Sequence, residues 1–265
     1  FGTKIYSGTT DLGITLATTT GRCGFAATRH GATLQYLGVN DGTSLYLIDT
    51  SDTVIVLNNV AITSASIANP TVITTSSAHG LATGNKIWIV GMTLSAPDLN
   101  GTATGVYTIT KTGATTFTIP VNVTVAGSGG TLGVFPTPTT TDLEFMDGYF
   151  FVMKTTTNQI YNCSVDEPRV WDPTKVIVPQ MYGGAAMGLA RQNNYLFALS
   201  DTALQGFFNA ANASGSPLTN VEPAVQQIGC ASQQSIGGTE NTIFWVSTSV
   251  EGGNSVWRLD GTSSI

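Results

Sequence analysis

Short apolar runs separated by polar turns dominate this chain. The stretches ATLQYLGVNDGTSLYLID (Ala32–Asp49), TVIVLNN (Thr53–Asn59), DGYFFVMK (Asp147–Lys154), NNYLFALS (Asn193–Ser200), NTIFWVST (Asn241–Thr248) and SVWRLDG (Ser255–Gly261) are the clearest. β-Branched and aromatic residues concentrate in them, which predicts strands. Asn40-Asp41-Gly42 lies between two such runs. It predicts a hairpin, because Asn and Gly tolerate positive φ at little cost. Sustained helical periodicity with caps is absent, and FFNAANASG (Phe207–Gly215) is the best candidate for a short helix. The pattern as a whole predicts an all-β protein.

A loose repeat runs through these strands. LQYLGVNDGTSLYLID, FFVMKTTTNQIYNCSV, YLFALSDTALQGFFN and IFWVSTSVEGGNSVWRLDG each pass from an aromatic-bearing strand through a polar turn into a second strand. Repeated hairpins of this kind predict radial repetition, as in a β-propeller. From Val60 to Gly133 the texture changes: aromatic residues thin out, and Thr and Ala rise. Pro70–Met92 and Gly105–Val121 each read as strand, turn, strand, with Gly84-Asn85 and Thr112-Gly113 at the turns. GSGG (Gly127–Gly130) and FPTPTTTD (Phe135–Asp142) read as an exit linker. The division that follows is 1–59 as a first propeller-like part, 60–133 as an inserted small β-barrel able to fold alone, and 134–265 as a second propeller-like part.

Composition narrows the function. The chain has 265 residues, of which 42% are hydrophobic and only 10% charged, against roughly 25% charged in ordinary globular domains. Its surface is therefore polar through Thr, Ser, Asn and Gly, as in extracellular and virion proteins. The net charge of −6 leaves no basic stripe, with Lys and Arg scattered singly, and this argues against a protein that grips nucleic acid. Cys23, Cys163 and Cys230 lie far apart in no zinc-binding spacing. They read as three small buried residues of a protein made in a reducing cytoplasm. No apolar run is long enough to cross a membrane as a helix. Phe1 in place of Met points to a fragment or a processed product.

Candidate chemistry is sparse. His30 and His79 are the two histidines, and neither belongs to a recognisable triad or metal spacing. A side-chain hydrogen bond in a turn is expected for His79. Asp166/Glu167 and Glu144/Asp147 are the acid pairs worth weighing for glycoside hydrolysis, and neither stands out. Arg191 and Arg258 read as strand tips or interface contacts. Asn100, Asn122, Asn162 and Asn212 match a glycosylation sequon, as chance predicts in a Ser- and Thr-rich chain. Ser164, Asp166, Pro168 and Trp171 fall at the spacing S-x-D-x-P-x-x-W. This resembles the Asp-box turn of β-propellers, with proline where the motif has glycine. It implies a structural turn tied by Ser164 and Asp166 and plugged by Trp171. No catalytic, cofactor or metal site is expected.

Three segments carry a family resemblance. Thr9–Asp49, Leu143–Pro173 (with FMDGYFFVMK and EPRVWDP) and Ile228–Gly261 (with IGC, IFWVS and VWRLDG) resemble, in the same order, the packaged-DNA stabilisation proteins of short-tailed phages, also called tail hub or nozzle proteins. Where the family typically has D-P-x-x-W, this chain reads Glu167-Pro168-Arg169-Val170-Trp171, with Glu for Asp. The stretch from Ser76 to Ile119 is similar to the small β-barrel named after part of ubiquitin-activating enzymes. His79-Gly80-Leu81, Gly84, Lys86, Ile87, Gly91, Asn100-Gly101, Tyr107 and Phe117 carry that likeness. The first resemblance implies a non-enzymatic virion protein made in the host cytoplasm. It implies a homo-oligomeric ring of about six copies. The ring would sit below the portal and its adaptor, close the filled head, and carry a needle, fibres or tailspikes. Phage DNA would pass through it without sequence-specific binding, and no membrane would be involved. A carbohydrate- or receptor-binding virion module and a depolymerase stand as the alternatives.

Overall fold

The structure is a computed structural model that describes residues 3–18, 21–29, 35–100, 107–133, 135–180, 184–239, 241–248, 255–260 and 263–264. Every regular element among them is a β-strand except one 3-10 turn, Gln233–Ser235. The all-β expectation holds.

Four antiparallel meanders of four strands follow one another. Blade 1 comprises Gly24–Ala27, Tyr36–Asn40, Leu45–Asp49 and Val54–Leu57. Blade 2 comprises Glu144–Met146, Tyr149–Met153, Ile160–Ser164 and Glu167–Ile177. Blade 3 comprises Ala186–Gln192, Tyr195–Ser200, Leu204–Asn209 and Leu218–Gln226. Blade 4 comprises Gly237–Thr239, Thr242–Ser247, Ser255–Asp260 and Ser263–Ser264. The first strands of successive blades lie against one another, which makes them the inner strands of the row. A short hairpin, Lys4–Ser7 with Thr10–Thr15, precedes blade 1.

The strand period of two explains the stacking. In blade 2, Phe150 and Val152 enter a core shared with Leu45, Leu47, Ile55 and Leu57 of blade 1. Their neighbours Phe151 and Met153 enter a second core with Leu196, Ala198 and Phe207 of blade 3. Blade 3 repeats the scheme, sending Phe197, Leu199 and Leu204 the other way, onto Ile243, Trp245 and Leu259 of blade 4. Inner blades thus bury both faces, and their strands are apolar nearly throughout. The outward faces of the row are different: Phe25 and Leu37 on blade 1, and Phe244 and Val256 on blade 4, are exposed.

The Asn40 corner forms the expected hairpin. Gly42 takes φ 91°, its N–H donates to Asn40 Oδ1 at 2.9 Å, and Asp41 Oδ1 accepts from Ser44 N at 2.8 Å. The helix expected over Phe207–Gly215 is not formed. Leu204–Asn209 is a strand paired with Tyr195–Ser200, because Phe207 is drawn into the core between blades 2 and 3. The composition AANASG follows the strand as a turn, not a helix.

Between blades 1 and 2 the chain builds a five-stranded sheet. It contains Ile62–Ala65, Thr71–Thr75, Thr110–Lys111, Thr116–Ile119 and Gly127–Ser128. Ile89–Val90 pairs with Thr131–Leu132, and Lys86–Ile87 adds to blade 1 in parallel beside Val54–Leu57. Ile73, Phe117, Ile119 and Leu132 of this region share one core with Val39, Tyr46, Ile48, Val54 and Val56 on the outward side of blade 1. The stretch read as an exit linker is ordered. Gly127–Ser128 pairs with Ser64 and Ala65, Phe135 is buried between blades 1 and 2, and Thr139, Thr140 and Asp142 are buried. Gly and Pro there serve close packing: a side chain at Gly127 would run into Met92 Sδ at 2.5 Å.

Candidate functional site

Ser164, Asp166, Pro168 and Trp171 form one hairpin corner, between the third and fourth strands of blade 2. Ser164 pairs with Glu167 across the turn, and Asp166 holds φ 52°, a left-handed conformation that Asp tolerates better than most residues. The Asp166 N–H donates to Gly148 O at 2.8 Å, joining this turn to the inner hairpin of the same blade. Its carboxylate faces Arg29 at 3.9 Å, where both side chains are exposed. Ser164 Oγ accepts from Lys175 Nζ at 3.1 Å. Trp171 is buried between blades 1 and 2, edge-on to Phe135 at 5.4 Å. Its Nε1–H donates to Pro168 O at 3.0 Å. Proline therefore takes the glycine position of the motif by supplying a carbonyl, which needs no N–H.

The acid pairs separate. Asp166 lies in the turn, whereas Glu167 makes a bidentate pair with Arg169, both contacts at 2.5 Å. Asp147 sits in an exposed turn and accepts from Asn209 Nδ2 at 3.1 Å. Glu144 lines an open cleft of about 710 Å³ with Arg191, Asn193, Asn194 and Asn241. Burial and nearby Asp142 push its carboxyl up to about 8, so it is mostly protonated at neutral pH. A carboxylic acid in that state donates a hydrogen bond but does not act as a nucleophile. The described lining of the cleft holds no second carboxylate.

His79 is buried, with Nδ1 accepting from Leu81 N at 3.0 Å and its ring edge-on to Phe117 at 5.3 Å. Burial lowers its pKa. It is thus a neutral turn residue, the role the sequence assigned to it. His30 lies outside the described residues. All three cysteines are free, Cys163 and Cys230 buried and Cys23 half-buried. Cys163 Sγ accepts from Phe150 N at 3.0 Å, and burial pushes its thiol up to about 12, which leaves it unreactive. Asn162, one of the four sequon positions, is fully buried. Arg191 caps backbone, donating to Phe145 O at 2.5 Å and to Asn193 O at 2.8 Å. Arg258 lies on blade 4, opposite Phe244. Among the described residues no metal-binding group of His, Cys, Asp or Glu gathers, and no helix is long and apolar enough to cross a membrane.

No local pattern marks Asp142, a buried carboxylate with long-range partners. It follows a run of Thr and Pro, and its partners come from far along the chain. Its carboxylate takes Arg22 at 2.5 Å, Leu189 N at 3.2 Å and Gln233 Nε2 at 3.1 Å.

Comparison with known proteins bears on the whole chain. The family model for bacteriophage P22 Gp10, a phage stabilisation protein described as a β-propeller, matches residues 1–265. No curated protein sequence matches. Among solved structures, BamB from Moraxella catarrhalis aligns over 88% of this chain and 83% of its own, at 10% identity and a TM-score of 0.32.

Proposed function

This chain belongs to the phage stabilisation family of bacteriophage P22 Gp10, and from that premise we propose that this structural virion protein is a tail hub or nozzle. In this reading several copies form a ring, about hexameric, below the portal and adaptor. The ring closes the DNA-filled head, carries tail fibres, spikes or a needle, and leaves a conduit for ejection. Synthesis takes place in the host cytoplasm. The family match over residues 1–265 carries the proposal.

The physical properties agree with such a part. Blades that bury both faces make a stiff wall. Exposed Ile67, Leu94 and Val125 on the region between blades 1 and 2, with Phe25 and Val256 on the outward blade faces, are apolar surface suited to subunit contacts. Residues 60–133 serve as a docking element on blade 1, in keeping with their resemblance to small barrels inserted in phage structural proteins. With 10 Lys and Arg against 16 Asp and Glu, the wall would repel DNA and let it slide.

Copurification of the tagged chain with portal and adaptor from infected cells tests this reading. A hub is recovered with both, binds no glycan on an array and releases no reducing sugar. Glycan binding without portal or adaptor would make it a receptor-binding module, and release of reducing sugar a depolymerase. Duplex DNA should bind negligibly at physiological salt. Micromolar binding that weakens steeply with salt would contradict a passive conduit.

A further inference from the structure

We infer that residues 135–143, the segment returning from the 60–133 region, form a latch in which Asp142 holds the four blades in one fixed arrangement. The latch begins at its root. Asn59 Nδ2 donates to Phe135 O at 2.6 Å, and Phe135 N donates back to Asn59 Oδ1 at 3.0 Å. Further along, buried Asn40 of blade 1 donates from Nδ2 to Thr140 O at 2.9 Å and to Asp142 O at 3.0 Å. The strip is thereby fixed to blade 1 before it reaches the centre.

At the centre Asp142 meets the approach to blade 1, the inner strand of blade 3 and the 3-10 turn ahead of blade 4. Arg22, on the approach to blade 1, gives the ion pair at 2.5 Å. The backbone N–H of Leu189, on the inner strand of blade 3, donates to Oδ2. Gln233, just ahead of blade 4, donates to the same oxygen, and Arg22 also donates to the Gln233 carbonyl. Asp142 itself leads into blade 2. The neighbouring walls are shaped to this carboxylate. A Cβ on Gly188 would collide with Asp142 Oδ2 and stand 2.7 Å from Ile236 Cδ1, and a Cβ on Gly24 would collide with the Thr141 carbonyl. Glycine alone lets the inner strands of blades 1 and 3 come this close.

A buried charge of this kind is a poor source of net stability but a strong source of register. Removing one partner leaves the other charged and uncompensated, whereas the intact set satisfies every member in a single geometry. The apolar faces between blades are tolerant of small slips, since dispersion and burial carry little direction. Asp142 supplies the direction. This role rests on the blade geometry and not on the tail-hub reading, so the two stand or fall separately.

Hydrogen exchange on the full chain tests it, in Asp142→Asn, which keeps the volume, and in Gly188→Ala, which presses on the latch from the opposite wall. Both variants should lose protection by tenfold or more at the inner strands Ala186–Gln192 and Gly237–Thr239, while Tyr195–Ser200 and Thr242–Ser247 keep theirs. Their thermal unfolding should change from one transition to two. Equal loss across inner and outer strands in either variant would reduce Asp142 to an ordinary core residue and overturn the latch. So would full retention of protection in both.

Discussion

The blade row and the region between blades 1 and 2 bury their apolar side chains by different rules. In blades 2 and 3 successive residues of one strand enter two different cores, Phe150 one and Phe151 the other. Each such strand is therefore apolar along its length and self-announcing. Residues 60–133 use strands as short as Ile89–Val90. They are held at their corners by side chains such as Asn100, whose Oδ1 accepts from Met92 N and whose Nδ2 donates to Met92 O, both at 2.8 Å. They fill one side of a core whose other side is blade 1. Repetition makes a sheet independent of what lies beyond its neighbours. An element docked on one blade shares its core with that blade.

The largest effect should come from breaking that docking. Replacing 60–133 by a short loop uncovers Val39, Tyr46, Ile48, Val54 and Val56. The deleted protein should lose more stability than any single substitution below, and residues 60–133 alone should lack the melt they show in the chain. Thermal unfolding of both pieces checks this. A deletion variant as stable as the parent would show the two regions to be independent.

Within the row, Trp171→Ala removes the plug between blades 1 and 2. It should cost ~3–5 kcal/mol, the range for large aromatic truncations in a core, read from denaturant unfolding. Loss below about 1 kcal/mol would mean that the blade 1–blade 2 face collapses around the hole and is not rigid.

This contrast also explains what was legible. The blade strands could be read from their apolar, aromatic-bearing runs alone, because Tyr195–Ser200 and Thr242–Ser247 carry their signal in their own residues. The region 60–133 was marked by texture and turns, yet the core it shares with blade 1 was hidden, since Val54 and Val56 look like any other strand residues. FFNAANASG misled because Phe207-Phe208 resembles the start of a helical face, whereas its partner strand decides the outcome. GSGG and FPTPTTTD looked like a linker because close packing and flexibility use the same small residues. Local spacing marked the corner from Ser164 to Trp171, but its Ser164 and Asp166 side chains reach Lys175 and Arg29 and not the backbone of the turn, as the motif had implied. Asp142 could not be, since Arg22 and Gln233 lie far from it in sequence and no local pattern joins them.

A pH series should separate the regions more gently. Burial lowers the pKa of His79 from 6.5. The unfolded chain therefore takes up the proton first, and stability falls as pH drops through the ordinary histidine range. Glu144 has the opposite sign. Its carboxyl titrates near 8 in the fold against 4.5 ordinarily. The folded chain keeps the proton between those values, and stability falls as pH rises through that window. Melting temperatures across pH should lose the rise through the histidine range in His79→Asn and the fall between 4.5 and about 8 in Glu144→Gln. Unchanged slopes would remove both groups from the account.

The smallest effect belongs to Asp166. Its ion pair with Arg29 is exposed, worth ~0–1 kcal/mol, and the left-handed φ costs alanine ~1–2 kcal/mol. Asp166→Ala should lose about 1 kcal/mol in a urea titration and Asp166→Gly almost nothing. Equal losses in the two would shift the importance of Asp166 from its backbone to its carboxylate.

A cryo-EM reconstruction of the virion that contains this chain tests the central proposal most directly. The account predicts a ring of copies below the portal and adaptor, with the blade row as its wall, residues 60–133 seated on blade 1, and DNA passing between copies without ordered side-chain contacts. Density for the chain at a fibre tip or on the capsid surface, away from the head–tail junction, would contradict it.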